Sequence, residues 1–165
     1  MLDTPTNLKS LLKDPTLLRT QAYVNGAWID GEGTFDVINP ARGDVIAQVT
    51  DLTRAQVTEA IAAAEVAQKD WAKWTGKERA AVLRRWFDLM LANKDDLAAI
   101  MTAEQGKPLA EARGEVAYGA NYIEWFSEES KRVYGDTIPQ PSNDKRIVVI
   151  KQPVGVVACI TPWNF

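Results

Sequence analysis

Histidine is absent from this 165-residue chain, and cysteine occurs once, at Cys159. Without histidine there is no Ser-His or Cys-His nucleophile pair and no His-based zinc site. A single cysteine excludes an internal disulfide framework, which fits a reducing compartment. Cys/His metal spacing, G-x-G-x-x-G, G-x-x-x-x-G-K and internal repeats are missing too; Gly76-Lys77 and Gly106-Lys107 lack the upstream glycine of a phosphate loop. No segment approaches the roughly 20 apolar residues that span a bilayer, and no basic region followed by a long apolar stretch opens the chain, so the cytoplasm is the default location. Charge of one sign is also scarce: the formal net charge is -3, and the doublets Arg84-Arg85 and Lys145-Arg146 stand alone, which argues against a nucleic-acid surface.

What is present suits a globular α/β chain. At 46% hydrophobic and 25% charged, the sequence can bury one ordinary core. Leucines at 8, 11, 12, 17 and 18, interrupted by Pro15, predict two short helical turns, too short to be stable unless they clamp onto something else. Tyr23-Val24 and Ala27-Trp28-Ile29 flank Asn25-Gly26, a strong type I′ hairpin signal. With the runs 35–38 and 45–49 they predict a small antiparallel sheet.

From Thr53 the pattern becomes helical. Capping boxes at Thr53-x-x-Gln56 and Thr75-x-x-Glu78 open two helices. The first carries Val57, Ile61, Ala64 and Trp71 inward, the second Val82, Leu83, Trp86, Phe87, Leu89 and Met90. Asn93 with Asp95-Asp96 starts a third, carrying Leu97, Ile100 and Met101 and ending near Gly106. Pro108 suits the first turn of a fourth, expected to run to Gly135 with Val116, Ile123, Phe126 and Val133 inward. Tyr122 and Trp125 lie beside that stripe, as core residues or as the border of a substrate passage. Lys145 to Gln152 has strand composition with charged ends, the form of a pairing edge.

The last eleven residues, GVVACITPWNF, carry the candidate chemistry. Val156 to Ile160 form a short apolar run, the pattern of a strand buried on both faces, and Thr161-Pro162 ends it. Cys159, inside that run with no base or cation beside it, reads as a packed, unreactive thiol. Trp163-Asn164-Phe165 then places a carboxamide between two aromatics at a strand's C-terminal end, where open α/β sheets bind ligands. Asn164 is either the cap of a turn or helix or a donor aimed at a developing oxyanion, worth about 3 kcal/mol of transition-state stabilisation. The chain stops within this motif, so more protein is expected after it.

ITPWNF at 160–165 resembles the aldehyde dehydrogenase superfamily. So do KQPVGV at 151–156 and EQGKPLAEARGE at 104–115. VNGAWID at 24–30, KERAAVLRRWFDLM at 77–90 and YIEWFSEESKRVYGDTIP at 122–139 look like the succinate-semialdehyde dehydrogenase branch. The resemblance implies an α/β fold, the N-terminal part of that architecture. Residues 1–137 would be the N-terminal part of the coenzyme-binding domain (β-hairpins, then a helical layer) and 138–155 an oligomerisation arm. Residues 156–165 would be the first strand and turn of the coenzyme-binding parallel sheet.

It also implies a chemistry. A cysteine thiolate attacks an aldehyde, hydride passes to NAD or NADP, and a glutamate-activated water releases the acid. Asn164 would donate to the thiohemiacetal oxygen. Ile160, Thr161, Pro162 and Trp163, with Asn164, would line the coenzyme, and Phe165 would stand at the aldehyde's entry tunnel. The substrate implied is succinate semialdehyde, in γ-aminobutyrate degradation, and the partner a second or further copy of the chain through the arm, as homodimer or homotetramer. The family's nucleophile, base, phosphate-contacting lysine and carboxylate-binding residues fall beyond Phe165, so these 165 residues are expected to be inactive alone and loosely packed. The competing reading is a catalytically empty scaffold acting by association.

Overall fold

The computed structural model describes residues 7–162. The N-terminal turns form as expected: α1 (Leu8–Leu11) is capped by Asn7, and a 3-10 turn (Pro15–Leu17) is capped by Asp14. They clamp through the linker between them. Lys13 N and Asp14 N donate to the two carboxylate oxygens of Asp96 at 3.0 and 2.8 Å, while Leu8 and Leu12 are buried. Asp96, read from sequence as an acid suited to a helix dipole, thus also satisfies two backbone donors that the short turns leave open.

Strands β1 (Ala22–Val24) and β2 (Ala27–Ile29) form the Asn25-Gly26 hairpin, with φ of 49° and 81° at the two turn residues. Both central positions of a type I′ turn need positive φ, which asparagine tolerates and glycine adopts freely. β3 (Gly33–Ile38) and β4 (Val45–Asp51) form a second antiparallel pair with an irregularity between Val37 and Ile38. The expected single sheet is two separate hairpins. They meet through Thr50 N donating to Thr20 O at 2.8 Å and Gly31 N donating to Thr50 Oγ1. Gly31 presses on the Asp51 carbonyl, where a Cβ would collide, so β4 abuts the end of the first hairpin instead of extending its ladder.

Four helices follow: α2 (Arg54–Trp71), α3 (Gly76–Ala92), α4 (Lys94–Gln105) and α5 (Leu109–Glu129). Both capping boxes close reciprocally. Asn93 precedes α4 but makes no side-chain cap; its Nδ2 donates back to Leu89 O at 2.9 Å. Gly106 ends α4 at φ 79°, and Pro108 stands at the N-cap of α5 instead of inside its first turn.

The core is the α3–α4–α5 layer. Ala112, Val116, Ala120 and Ser127 are the buried stripe of α5. Ala112 and Val116 pack with Ala98 of α4, flanked by Leu97 and Met101. Toward α3, Ser127 Oγ donates to Ala80 O at 3.1 Å, and Met90 reaches Gly119. Alanine and serine at these crossings let the backbones approach closely, so depth of burial here comes from small residues.

Several inward assignments change. Phe126 and Val133 are each 57% exposed: Phe126 lies beside the exposed aromatics of α5, and Val133 falls beyond the helix, which ends at Glu129, six residues before Gly135. Ser130 Oγ donates to Gly76 O, and the Ser130 carbonyl lies against Gly76 where a Cβ would clash, so the end of α5 is docked on the start of α3. Gly135 instead lets the chain pass the Val149 carbonyl as it enters β5 (Asp136–Ile138). On α3, half-buried Leu83, Phe87 and Met90 follow Ala80, while Val82, Trp86 and Leu89 are exposed. The whole α2 stripe (Val57, Ile61, Ala64, Trp71) is exposed as well.

The arm is a short hairpin in which β5 pairs antiparallel with β6 (Ile147–Val149). The expected strand over 145–152 shrinks to three residues because β5 offers only three partners. Residues 150–162 carry no helix or strand, which corrects the expected strand at 156–160. A parallel strand exists only with neighbours to take its N–H and C=O groups, and among the described residues none lies alongside.

Candidate functional site

Ile160, Thr161 and Pro162 are exposed, Ile160 to 95%. The backbone of 156–162 makes no hydrogen bond among the described residues. Trp163, Asn164 and Phe165 lie outside the described residues, so the expected carboxamide donor and the tunnel residue have no geometry here. Cys159 is exposed, correcting the expectation of a packed thiol; the strand that was to bury it is not formed. No group of three or more His, Cys, Asp or Glu side chains is gathered for a metal among the described residues.

The segment leading to the motif runs past the end of α2. Val156 shares a hollow with Ala64, Ala67, Gln68 and the Trp71–Trp74 pair, whose rings lie 5.1 Å apart. Lys151, Gln152 and Pro153 line a second, with Gln68, Trp71 and Arg79. Residues 151–156 thus run past the corner between α2 and α3, where the Thr75 capping box opens α3.

A third hollow lies on α5 and is lined by Tyr118, Asn121, Tyr122, Trp125 and Phe126. Tyr122 and Trp125 are 51% and 64% exposed, which excludes the core-packing alternative among the described residues. Tyr118 and Asn121 were not singled out from sequence, and Phe126 was expected on the inward stripe. The signal was available: positions 118, 121, 122 and 125 repeat at helical spacing, on a different face from 112, 116, 120 and 127. The Tyr118 and Tyr122 hydroxyls are hydrogen-bonded at 2.7 Å. That bond raises the Tyr118 phenol above its ordinary value near 10.

At 156–162 the exposed backbone leaves its donors and acceptors unbonded among the described residues, and Ile160 and Pro162 are apolar enough to cover a flat ring. With antiparallel hairpins and a helical layer, the chain is the N-terminal portion of an α/β fold.

The sequence profile of the Aldehyde dehydrogenase family matches residues 28–165. The chain belongs to this family. A glutarate-semialdehyde dehydrogenase of Pseudomonas putida is 59% identical over 156 residues, which are 93% of this chain and 32% of that protein. The NADP+ succinate-semialdehyde dehydrogenase of Escherichia coli is 54% identical with the same coverage. The crystal structure of an aldehyde dehydrogenase from Brucella melitensis biovar abortus superposes with a TM-score of 0.86 at 61% identity, over 87% of this chain and 30% of that one. The chain thus spans about a third of the length of the relatives it matches. Relatives in the family take NAD or NADP.

Proposed function

We propose that this chain is the N-terminal part of an NAD(P)-dependent dehydrogenase of aldehydes that carry a carboxylate at the far end, with succinate semialdehyde as its substrate. The observation that carries it is the match of 93% of the chain, at 59% and 54% identity, to dehydrogenases of glutarate and succinate semialdehyde. Those two substrates share one chemistry: a reactive carbonyl at one end and a fixed negative charge at the other. In this reading Ile160 to Asn164 hold the coenzyme edge, which NAD(P)+ needs in order to accept hydride there. Asn164 donates its side-chain N–H to the oxyanion formed when a thiolate beyond Phe165 attacks the aldehyde. Phe165 and the exposed α5 aromatics border the aldehyde's path. The arm at 138–155, which carries β6 of the hairpin, pairs with a second copy, and the assembled protein works in the cytoplasm.

The test is formation of reduced coenzyme by the full-length protein from succinate semialdehyde, glutarate semialdehyde and butanal, with NAD+ and NADP+ in separate arms. Either semialdehyde should exceed butanal by at least tenfold in kcat/KM, succinate semialdehyde being the faster. A preference for glutarate semialdehyde moves the substrate by one methylene and keeps the class. Butanal turned over as well as either, or no reduced coenzyme at all, overturns the proposal.

A further inference from the structure

Tyr118 and Tyr122 stand one helical turn apart on α5, with ring centroids 5.0 Å apart and ring planes at 89°. Their hydroxyls touch at 2.7 Å, and the side chains are 47% and 51% exposed. The other described tyrosines, Tyr23 and Tyr134, have no tyrosine beside them; Tyr23 faces Trp28 across its hairpin. A hydrogen-bonded pair on a regular helix is held in register by the backbone, so two phenoxyl radicals formed there need not diffuse to meet.

We propose that Tyr118 and Tyr122 are an oxidative cross-linking site, joined as an intrachain dityrosine by a peroxide-driven one-electron oxidant. Each phenol loses one electron and one proton. The two phenoxyl radicals couple through the ring carbons ortho to oxygen, and the ring hydrogens shift back to the oxygens, restoring both phenols. The two electrons and two protons reduce one hydrogen peroxide to two waters, so one carbon–carbon bond replaces two C–H bonds. The link spans a single turn and joins two of the residues that line the aromatic hollow. It rests on the placement of the pair and does not depend on the proposed substrate.

The experiment exposes the full-length protein to a haem peroxidase with hydrogen peroxide, followed by trypsin. Both tyrosines fall in one tryptic peptide, 114–131, because Arg113 precedes it and Lys131 ends it. The expected result is that peptide lighter by two hydrogens, with dityrosine fluorescence at least tenfold above an untreated control. Fragment ions between 118 and 122 should be missing, since cleavage inside the closed ring releases nothing. Tyr118→Phe and Tyr122→Phe should each abolish the mass loss, while Tyr23→Phe and Tyr134→Phe leave it intact. Cross-links that map to other tyrosines, or that join two chains while peptide 114–131 keeps its hydrogens, overturn the proposal. So does a mass loss that persists in Tyr122→Phe.

Discussion

The α3–α5 layer and the segment 150–162 are both rich in apolar residues, yet one is packed and the other is bare. Ala98, Ala112 and Ala120 are fully buried, whereas Val154 and Ile160 are 92% and 95% exposed. Hydropathy does not separate them; the whereabouts of their partners does. The helices bury one another, while a parallel strand such as the one expected at 156–160 needs neighbours brought from far along a chain. Burial is a property of pairs of elements, and only one of these regions has both members among the described residues.

The sharpest way to break that contrast lies at the exposed end. Asn164→Ala in the full-length protein should slow turnover by about 100-fold or more, close to 3 kcal/mol from one lost oxyanion donor, with coenzyme affinity little changed. Steady-state kcat and a coenzyme titration check it. Near-normal turnover returns Asn164 to a turn cap.

Inside the layer the next largest effect falls on Lys107. It is 7% exposed and pairs with Glu115, which α5 carries two turns on. Lys107→Met leaves a largely buried carboxylate without this partner and should destabilise the layer by about 3 kcal/mol. Amide hydrogen exchange of α4 and α5 reads this directly. Unchanged protection would mean that water or another cation serves Glu115 equally well.

Acid provides a milder probe. The Arg113 side chain bonded to Asp95 holds that carboxyl below its ordinary 3.8, and the Thr75 backbone N–H holds Glu78 below 4.5. A depressed folded value means that the stabilising contribution is complete above the ordinary carboxylate range and is lost as pH falls through the lowered values. With no histidine in the chain, these two carboxylates should leave stability flat from about pH 5 to 8 and lower it only below about pH 4. Burial pushes the Glu104 carboxyl up, so Glu104 opposes them by gaining stability as it protonates. A circular-dichroism melt at each pH would show the limb; loss beginning near pH 6 would contradict it.

The smallest change is expected on α2. Ile61 is 55% exposed, so Ile61→Ser in the 165-residue chain should cost no more than about 0.5 kcal/mol. The same change in the full-length protein should cost several times more if the rest of the fold covers that face. Equal, small costs in both would leave the α2 stripe an ordinary surface.

The parts legible in the sequence are those fixed by contacts a few residues apart. Asn25-Gly26 specified its hairpin, Thr53 and Thr75 marked two helix starts, and Pro15 split the first turns, because each acts on its own backbone. The candidate site was legible only as a motif: the order Ile160 to Phe165 can be read, but where its groups point depends on strands outside that stretch. The aromatic face of α5 was half read, since Tyr122 and Trp125 stood out while Tyr118 did not. A helix with two apolar stripes does not announce which one faces inward.

By itself the sequence determined the local frame, the family and the absence of histidine from these 165 residues, since these follow from residue identity and near neighbours. The tertiary structure decided which stripe of each helix is buried, that Asp96 grips the N-terminal linker, that Gly135 serves a close strand crossing and that Cys159 stands in solvent. Those outcomes turn on distances between segments up to 83 residues apart, and no local pattern encodes such a distance.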